Sequence, residues 1–363
     1  MIGRTLFRYI AGLFLRWILG LFAGIILLTF LIDLLEVLRS AASKPNFNLA
    51  SVVAVSALRI PALSEQVLPF AVLLGSMASL VNLSRRSELV VSRSAGLSVW
   101  QFSAPGVIVA LVIGIFATTV YNPMATAMKA QSDRIAAEAV GRVSSILGDA
   151  SSSTWLRQHT EEGDSIVRVG GVLDGGRVIL APVFWNFDAT GRLARRVEAS
   201  SAELGDGRFT LTDARIWDVE GEPRTAERLE IPSALTPQQV SERLSSPTAV
   251  SFWRLPTVIS QAANAGLPPY RFSLQYHSLI ARPALLAAMV LIAATVSLGS
   301  SRMGNGGRMI LGGIAAGFML YVGTEIFRDL GSEGLVPPML AAWAPAAIAL
   351  SLGSTVLLFR EDG

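Results

Sequence analysis

Long apolar runs separated by short polar connections occupy both ends of this chain. The first run extends from Trp17 to Ile32 and continues to Leu38, interrupted only by Asp33 and Glu36. Five further runs follow, and each approaches the roughly 20 residues that a helix needs to cross a 30 Å hydrocarbon core. The pattern predicts six membrane-spanning helices, the later five over about 60–83, 102–121, 279–298, 309–327 and 339–359.

A cleaved signal peptide is the alternative interpretation of the first run, because basic residues precede it. Such a peptide has an apolar region of about 7–15 residues followed by a small-residue cleavage site. Hydrophobic character here continues well beyond that length, as far as Leu38. We therefore expect a retained first span.

The segment 123–271 has a different composition from the two ends. It holds 16 of the 30 Lys and Arg residues and 18 of the 27 Asp and Glu residues. In one stretch apolar and polar residues alternate with a period of two. Phe209, Leu211, Trp217 and Val219 are its apolar residues, and all lie at odd-numbered positions. Such alternation indicates half-buried strands, so this segment is predicted to be an all-β sandwich or barrel.

Three domains follow from this pattern: a three-helix half over 1–122, the β domain over 123–271, and a second three-helix half over 272–363. Two short helices, over 238–244 and 252–263, are expected to lead back to the membrane.

Six spans put both termini on one side, and basic short loops mark the cytoplasm. Eight basic residues lie on one side and three on the other, namely Arg4, Arg8, Arg85, Arg86, Arg93, Arg302, Arg308 and Arg360 against Arg39, Lys44 and Arg328. We therefore expect cytoplasmic termini and a periplasmic β domain.

Composition excludes several functional classes. The chain is only 16% charged and has no cysteine, so thiolate nucleophiles and Cys-ligated metals are excluded. Its net charge of +3 comes without a basic run interleaved with aromatics, so nucleic acid is not a predicted partner. His159 and His277 lie far apart without a metal-ligand pattern. Because the sequence also has no phosphate loop and no paired nucleophile and base, we expect no cofactor and no catalytic site.

The most informative stretch is the polar loop after the second apolar run. It is predicted to form a short helix over 84–96, starting near Ser84–Ser87 and ending at Gly96, a residue suited to a left-handed C-cap. Glu88 and Ser92 would share one face of this helix. A capped, solvated loop helix without a partner is the alternative.

Three motifs together resemble the LptF/LptG family of lipopolysaccharide export permeases. They are Arg-Ser-Glu-Leu-Val-Val at 86–91 with Ser-Ala-Gly at 94–96, Leu-Pro-Phe-Ala-Val-Leu-Leu-Gly at 68–75, and Gly-Leu-Val-Pro-Pro at 334–338. The Ser-Glu-Leu-Val-Val sequence and the Pro-Pro pair are closer to the LptG branch than to the LptF branch. The resemblance covers the whole chain, including the number of apolar runs and the position of the single insertion.

The resemblance implies an inner-membrane transport subunit rather than an enzyme. Family members pair as a heterodimer of two related six-span permeases, each with a periplasmic β-jellyroll-like domain. A cytoplasmic ABC ATPase dimer binds beneath and hydrolyses the ATP, and a single-span partner with a similar jellyroll associates alongside. Lipopolysaccharide enters laterally from the membrane between the first and fifth spans and moves along the β domains toward a periplasmic bridge.

Carried over residue by residue, the resemblance makes the loop helix the contact with the ATPase. Glu88 is then the main coupling residue, with Arg85, Arg86 and Arg93 as its neighbours. Ser92 lies on the same predicted helix face as Glu88.

Charged residues inside apolar runs are functional candidates, because an unpaired charge at that depth costs several kcal/mol. Asp33 and Glu325 lie in the first and fifth spans and are predicted to line the substrate path. Some family members have a basic residue near the outer part of the first span, whereas this chain has Asp33 there and Arg39 further on. Lys129 and Arg134, after the third span, match basic residues that the family places at the cavity mouth. The alternative for both is an anchor at the membrane surface.

A membrane-anchored scaffold or sensor is the competing functional class. Such a protein would bind a partner through its periplasmic domain and would move no substrate. Its helical bundle would have no lateral opening, and the Glu88 helix would have no function. An intramembrane enzyme has no support in the sequence.

Overall fold

The computed structural model shows a helical region interrupted by an inserted β domain. The structure describes residues 3–41, 48–140, 154–160, 163–169, 171–173, 178–180, 182–188, 191–205, 207–218, 223–233, 235, 240, 247–264, 269–299 and 306–361. The chain forms two compact units. One comprises Met1–Ser43, Val52–Ser132 and Pro247–Gly363, and the other comprises Lys44–Ser51 and Asp133–Ser246.

Nine α-helices lie within the described residues. Five precede the β domain and four follow it. They are α1 (Arg4–Ala41), α2 (Leu49–Arg85), α3 (Glu88–Ser94), α4 (Val99–Phe116), α5 (Asn122–Val140), α6 (Leu255–Asn264), α7 (Tyr270–Gly299), α8 (Gly306–Ser332) and α9 (Pro338–Glu361). A π-helical turn, Ala117–Tyr121, joins α4 to α5, and 3₁₀ turns cover Pro247–Ala249 and Phe252–Arg254.

Five of the described helical segments are long and apolar enough to cross a membrane, namely Arg4–Arg39, Leu49–Arg85, Val99–Asp133, Tyr270–Ser297 and Pro338–Phe359. The predicted span over 309–327 coincides with α8, which is helical but is not among these five. The count of six spans therefore stays a prediction.

The third helical segment is longer than predicted. Instead of ending near residue 122, it passes through the π turn without a break and continues to Val140. The reason is visible in the sequence after the apolar run, where residues 124–130 contain mostly Ala, Met and Lys, which are good helix formers. The return helix predicted over 252–263 is observed as a 3₁₀ turn and α6, whereas the one predicted over 238–244 lies outside the described residues except for Val240.

The helical unit packs around one apolar core. Buried side chains on one face of α1 (Ile10, Phe14 and Ile18) contact buried residues of α2, α4 and α7. Beyond Ile18 six large apolar side chains of α1 are exposed, including Leu27 at 60% and Leu35 at 65%. The first turns of α1 are therefore anchored in the core, while its second half presents an apolar surface.

The β unit is one antiparallel sheet of nine described strands. They are β1 (Thr154–Thr160), β2 (Gly163–Val169), β3 (Gly171–Leu173), β4 (Val178–Leu180), β5 (Val183–Phe187), β6 (Leu193–Glu198), β7 (Ser201–Gly205), β8 (Arg208–Asp218) and β9 (Arg224–Pro232). The strand order is β1-β2-β5-β6-β8-β7-β4-β3, and β9 pairs along the other edge of β8. Both β6 and β7 pair with β8, at different halves of this long strand.

The sheet curls so that its first strand approaches its last. The side chain of Gln158 in β1 donates from Nε2 to the carbonyl of Pro232 at 3.2 Å and accepts from the Ser233 hydroxyl at 3.1 Å. Both contacts fall at the end of β9. The arrangement is a nearly closed barrel, in agreement with the predicted all-β class.

The predicted parity of β8 is wrong in its second half. Phe209 and Leu211 are buried as expected, but the next buried residue is Ala214. Asp213 lies between them with a φ of 53°, and this left-handed residue switches the face of the strand. Trp217 consequently stacks on the partly exposed Arg196 of β6 instead of entering the core.

Candidate functional site

Helix α3 begins later than predicted. Ser84 and Arg85 belong to the end of α2, and Ser87, with a φ of 59°, turns the chain before α3 starts at Glu88. The predicted segment 84–96 is therefore divided between two helices. Glu88 lies in the first turn of α3, where a carboxylate interacts favourably with the helix dipole.

The other end of α3 agrees with the prediction. Gly96 has a φ of 83°, and the Leu97 N–H donates to the Ser92 carbonyl at 3.1 Å. This is a Schellman C-cap with glycine at its left-handed position. The next helix, α4, has its own N-cap at Ser98, which exchanges hydrogen bonds with Gln101 in a capping box.

The Glu88 side chain is hydrogen-bonded to the first helix. The Tyr9 hydroxyl donates to Glu88 Oε1 at 3.1 Å, across 79 positions of sequence. Ser92 lies one turn from Glu88, as predicted, and its hydroxyl donates to the Glu88 carbonyl at 2.7 Å. Sequence reasoning missed Tyr9, because nothing in the linear pattern relates the start of the first span to the loop after the second.

A cleft of 270 Å³ lies beside this hydrogen bond. Its floor is apolar and includes Ile10, Leu83 and Phe102, all of which are buried. Polar groups at its edge come from Tyr9 and Glu88, together with Arg86. The site therefore combines an apolar recess with a carboxylate at its edge, which is an arrangement suited to a protein partner.

The basic residues predicted around Glu88 lie at the same end of the helical unit. Arg85 and Arg86 are exposed at and just after the end of α2. Arg93 lies in α3, and its side chain is outside the described part of the structure.

The predicted substrate-path residues are distributed over three helices. Asp33 is 7% exposed on α1, and its Oδ1 lies 3.9 Å from Nη1 of Arg59 on α2. Glu325 on α8 lies 3.4 Å from Arg328, three residues further along the same helix. Arg39 is exposed in the last turn of α1, and Lys129 is partly exposed on α5. Arg134 also lies in α5, but its side chain is outside the described part.

A second charged cluster is buried among the helices. Glu65 of α2 accepts through Oε2 from Asn122 Nδ2 at 3.2 Å, and Arg282 Nη1 of α7 lies 3.3 Å from the same oxygen. Asn122 also accepts from the Phe252 N–H at 2.9 Å. Sequence reasoning missed Arg282, although an arginine directly before Pro283 within an apolar run was a usable signal.

The described residues hold no group of three or more His, Cys, Asp or Glu side chains that could bind a metal ion. Two of the charged pairs instead join different helices, namely Asp33 with Arg59 and Glu65 with Arg282.

The apolar helices and the inserted sheet define an integral membrane protein. The profile of the family described as lipopolysaccharide export system permease LptF/LptG matches residues 8–359. Relatives include the lipopolysaccharide export system permease protein LptG of Haemophilus influenzae, 27% identical over 365 aligned residues that cover 99% of each chain. The LptG of Escherichia coli is 25% identical over 307 residues, which is 81% of each chain.

Because the match extends over nearly the whole sequence, the chain belongs to the LptF/LptG family of lipopolysaccharide export permeases. The predicted resemblance is confirmed, and the names of both relatives support the LptG branch. Family membership and the apolar helices indicate an inner-membrane transport subunit.

Proposed function

We propose that this chain is the LptG-type permease subunit of an exporter that extracts lipopolysaccharide from the inner membrane. It passes the lipid to a periplasmic bridge that leads toward the outer membrane. The observation that carries this proposal is the family match over residues 8–359. The separate helix α3, with Glu88 in its first turn, supplies a contact for an ATPase.

The proposed arrangement in the membrane has six spans with both termini in the cytoplasm and a periplasmic jellyroll-like domain. Helix α8 is the helix that would bring the number of spans to six. It is the fifth span along the chain. Its 27 residues correspond to about 40 Å of helix at a rise of 1.5 Å per residue, which is enough for a 30 Å hydrocarbon core. The nearly closed antiparallel sheet supports the jellyroll assignment.

The proposed partners are a sister permease, a cytoplasmic ABC ATPase dimer and a single-span protein with a periplasmic jellyroll. The pairing is a heterodimer, and the membrane lipids surround both permeases. ATP binds to the ATPase, and the absence of a phosphate loop from this sequence supports that division of labour. The chain itself requires no cofactor or metal.

The proposed coupling surface consists of Glu88, Arg85, Arg86, Ser92 and Arg93. Support comes from the exposure of Arg85 and Arg86 and from the position of Glu88 at the edge of the apolar cleft. A short helix with a charged face can transmit closure of the ATPase dimer to the spans.

The proposed substrate path includes Asp33, Arg39, Lys129, Arg134 and Glu325. The exposed apolar second half of α1 supports a lateral opening beside this helix. At Asp33 the neighbouring positive charge comes from Arg59 of α2, so a basic group is present near this depth although the first span itself has an acid.

The test compares the parent complex with Glu88→Ala after coexpression with the candidate ATPase and sister permease. Lipopolysaccharide release from proteoliposomes and copurification of the ATPase are measured. We expect Glu88→Ala to lose release and to copurify less ATPase. Glu333→Ala is the matched control, because Glu333 is a carboxylate with 65% of its side chain exposed in a surface pair with Arg271.

Normal assembly and normal release in Glu88→Ala would contradict the coupling assignment. A parent chain that binds no ATPase would instead support the membrane-anchored scaffold. The two failures are distinguishable, because only the second one affects the parent complex.

A further inference from the structure

The hydrogen bond from Tyr9 to Glu88 connects the first helix to the helix proposed to contact the ATPase. We propose that Tyr9 is a positioning residue that transmits displacement of α3 to α1. This inference rests on the proposed function. Its hydroxyl holds the Glu88 carboxylate by one oxygen, so that the coupling helix and the first span move together.

Helix α3 depends on tertiary contacts for its orientation. It has seven residues, fewer than the roughly 12–15 at which an isolated helix becomes even marginally stable in water. Ser87 and Gly96, both with positive φ, interrupt the backbone on its two sides. The start of α4 is capped by its own residues and needs nothing from α3. A side-chain contact such as that of Tyr9 therefore helps to align α3 with the bundle.

The Tyr9 end of this contact is rigid. Tyr9 is 39% exposed, but its neighbour Ile10 is 1% exposed, and Phe14 one turn later is fully buried. Both belong to the core that α1 shares with α2, α4 and α7. A displacement of Glu88 therefore acts on a part of α1 that cannot yield independently, and the same helix continues into the exposed apolar half around Leu27 and Leu35.

The carboxylate has enough acceptor capacity for a second partner. Tyr9 donates to Oε1, and an ionised carboxylate has two oxygens that each accept hydrogen bonds. Oε2 is therefore available to a cationic or N–H donor of the ATPase. Glu88 would then bind the ATPase on one side and the first helix on the other, which makes Tyr9 part of the transmission rather than of the ATPase contact.

The test removes only the hydroxyl, with Tyr9→Phe in the full complex. Tyr270→Phe is the matched control, because Tyr270 has a similar exposure of 44% and begins α7 instead of α1. Because Tyr9 lies at the edge of the cleft, we allow Tyr9→Phe a loss of ATPase affinity of less than tenfold, and we expect the assembled complex to hydrolyse ATP. Lipopolysaccharide released per ATP hydrolysed should fall by about 3- to 10-fold, the range expected for loss of one hydrogen bond.

A distance measurement separates transmission from a general loss of stability. The chain has no cysteine, so spin labels can be attached at Arg8→Cys and Ser94→Cys, on α1 and α3, in complexes with cysteine-free partners. In the parent we expect one narrow distance distribution that is retained when nucleotide closes the ATPase. In Tyr9→Phe we expect this distribution to broaden on closure.

Three results would overturn the inference. They are unchanged release per ATP with an unchanged distance distribution, an equal loss in Tyr270→Phe, or a more than tenfold loss of ATPase affinity in Tyr9→Phe. The last would make Tyr9 an assembly contact. A parent complex that neither binds ATPase nor releases lipopolysaccharide contradicts the proposed function first and the inference with it.

Discussion

The Thr118 hydroxyl donates a hydrogen bond to the main-chain carbonyl of Leu279 at 2.8 Å, and both residues are buried. Leu279 precedes Pro283 by four positions in α7, and proline has no N–H to bond that carbonyl. Thr118 lies in the π-helical turn between α4 and α5. One turn earlier, a Cβ on Gly114 would lie 2.5 Å from Pro283 Cα, so the two helices are in close contact here.

Replacing Thr118 with valine should destabilise the helical unit. Valine has nearly the same shape but leaves the Leu279 carbonyl without a partner in an apolar environment, which costs about 1–3 kcal/mol. The expected result is a lower melting temperature of the detergent-solubilised protein. Thr119→Val is the control, because the Thr119 hydroxyl bonds the Ile115 carbonyl of its own helical turn. Equal melting of the two variants would contradict this role of Thr118.

The buried pair of Glu65 and Arg282 should be far more sensitive to a single truncation than an exposed pair. Glu65→Ala leaves the Arg282 charge buried without its carboxylate, at a cost of about 3–5 kcal/mol. The side chains of Glu65 and Arg282 are only 11% and 16% exposed. The double variant Glu65→Gln/Arg282→Gln removes both charges while keeping hydrogen-bonding groups, and should lose less stability than Glu65→Ala.

Thermal unfolding in detergent checks this comparison. The control pair is Arg271 and Glu333, whose side chains are both 65% exposed. Glu333→Ala should change stability by no more than about 1 kcal/mol, as is usual for a surface ion pair. If the double variant were less stable than Glu65→Ala, the loss of stability would come from the shape of the two side chains and not from burial of an unpaired charge.

Changing Gly96 to alanine should weaken ATPase binding without loss of the membrane domain. A left-handed φ of 83° costs a residue with a Cβ about 1–2 kcal/mol, which disfavours the observed end of α3. We expect the dissociation constant for the ATPase to rise by up to about 5- to 30-fold, the equivalent of that energy. The control is Gly20→Ala in α1, where an added Cβ meets nothing within 4 Å. Unchanged ATPase affinity in Gly96→Ala would show that the conformation of α3 does not matter for docking.

Several features of the fold could be predicted from sequence because they depend on local chemistry. An apolar run such as 60–83 has to be helical in a membrane, since every backbone group must be satisfied within the segment. Gly96 indicates a helix that ends in a left-handed residue, because glycine has no Cβ and adopts positive φ readily. The mistaken parity of Trp217 shows the limit of such arguments, because one left-handed residue, Asp213, changes the face of the β8 residues that follow it.

The candidate site was only partly predictable. Glu88 could be identified from its own motif and from its place near a helix start. Its partner Tyr9 could not, because a hydrogen bond across 79 positions depends on how α1 lies against α3. Arg282 had a usable signal in its place before Pro283, but only the proximity of Glu65 on another helix shows its importance.

The sequence by itself determined that apolar helices flank a β insertion, which family the motifs resemble and which residue is the coupling candidate. These features depend on hydrophobic periodicity, glycine and proline geometry and short contiguous motifs, all of which act over a few residues. The tertiary structure alone decided which charges are paired, that Thr118 satisfies the carbonyl left by Pro283, and that Tyr9 holds Glu88. The physical reason is that hydrogen bonds and ion pairs form between atoms a few ångströms apart, and packing of distant segments sets those distances.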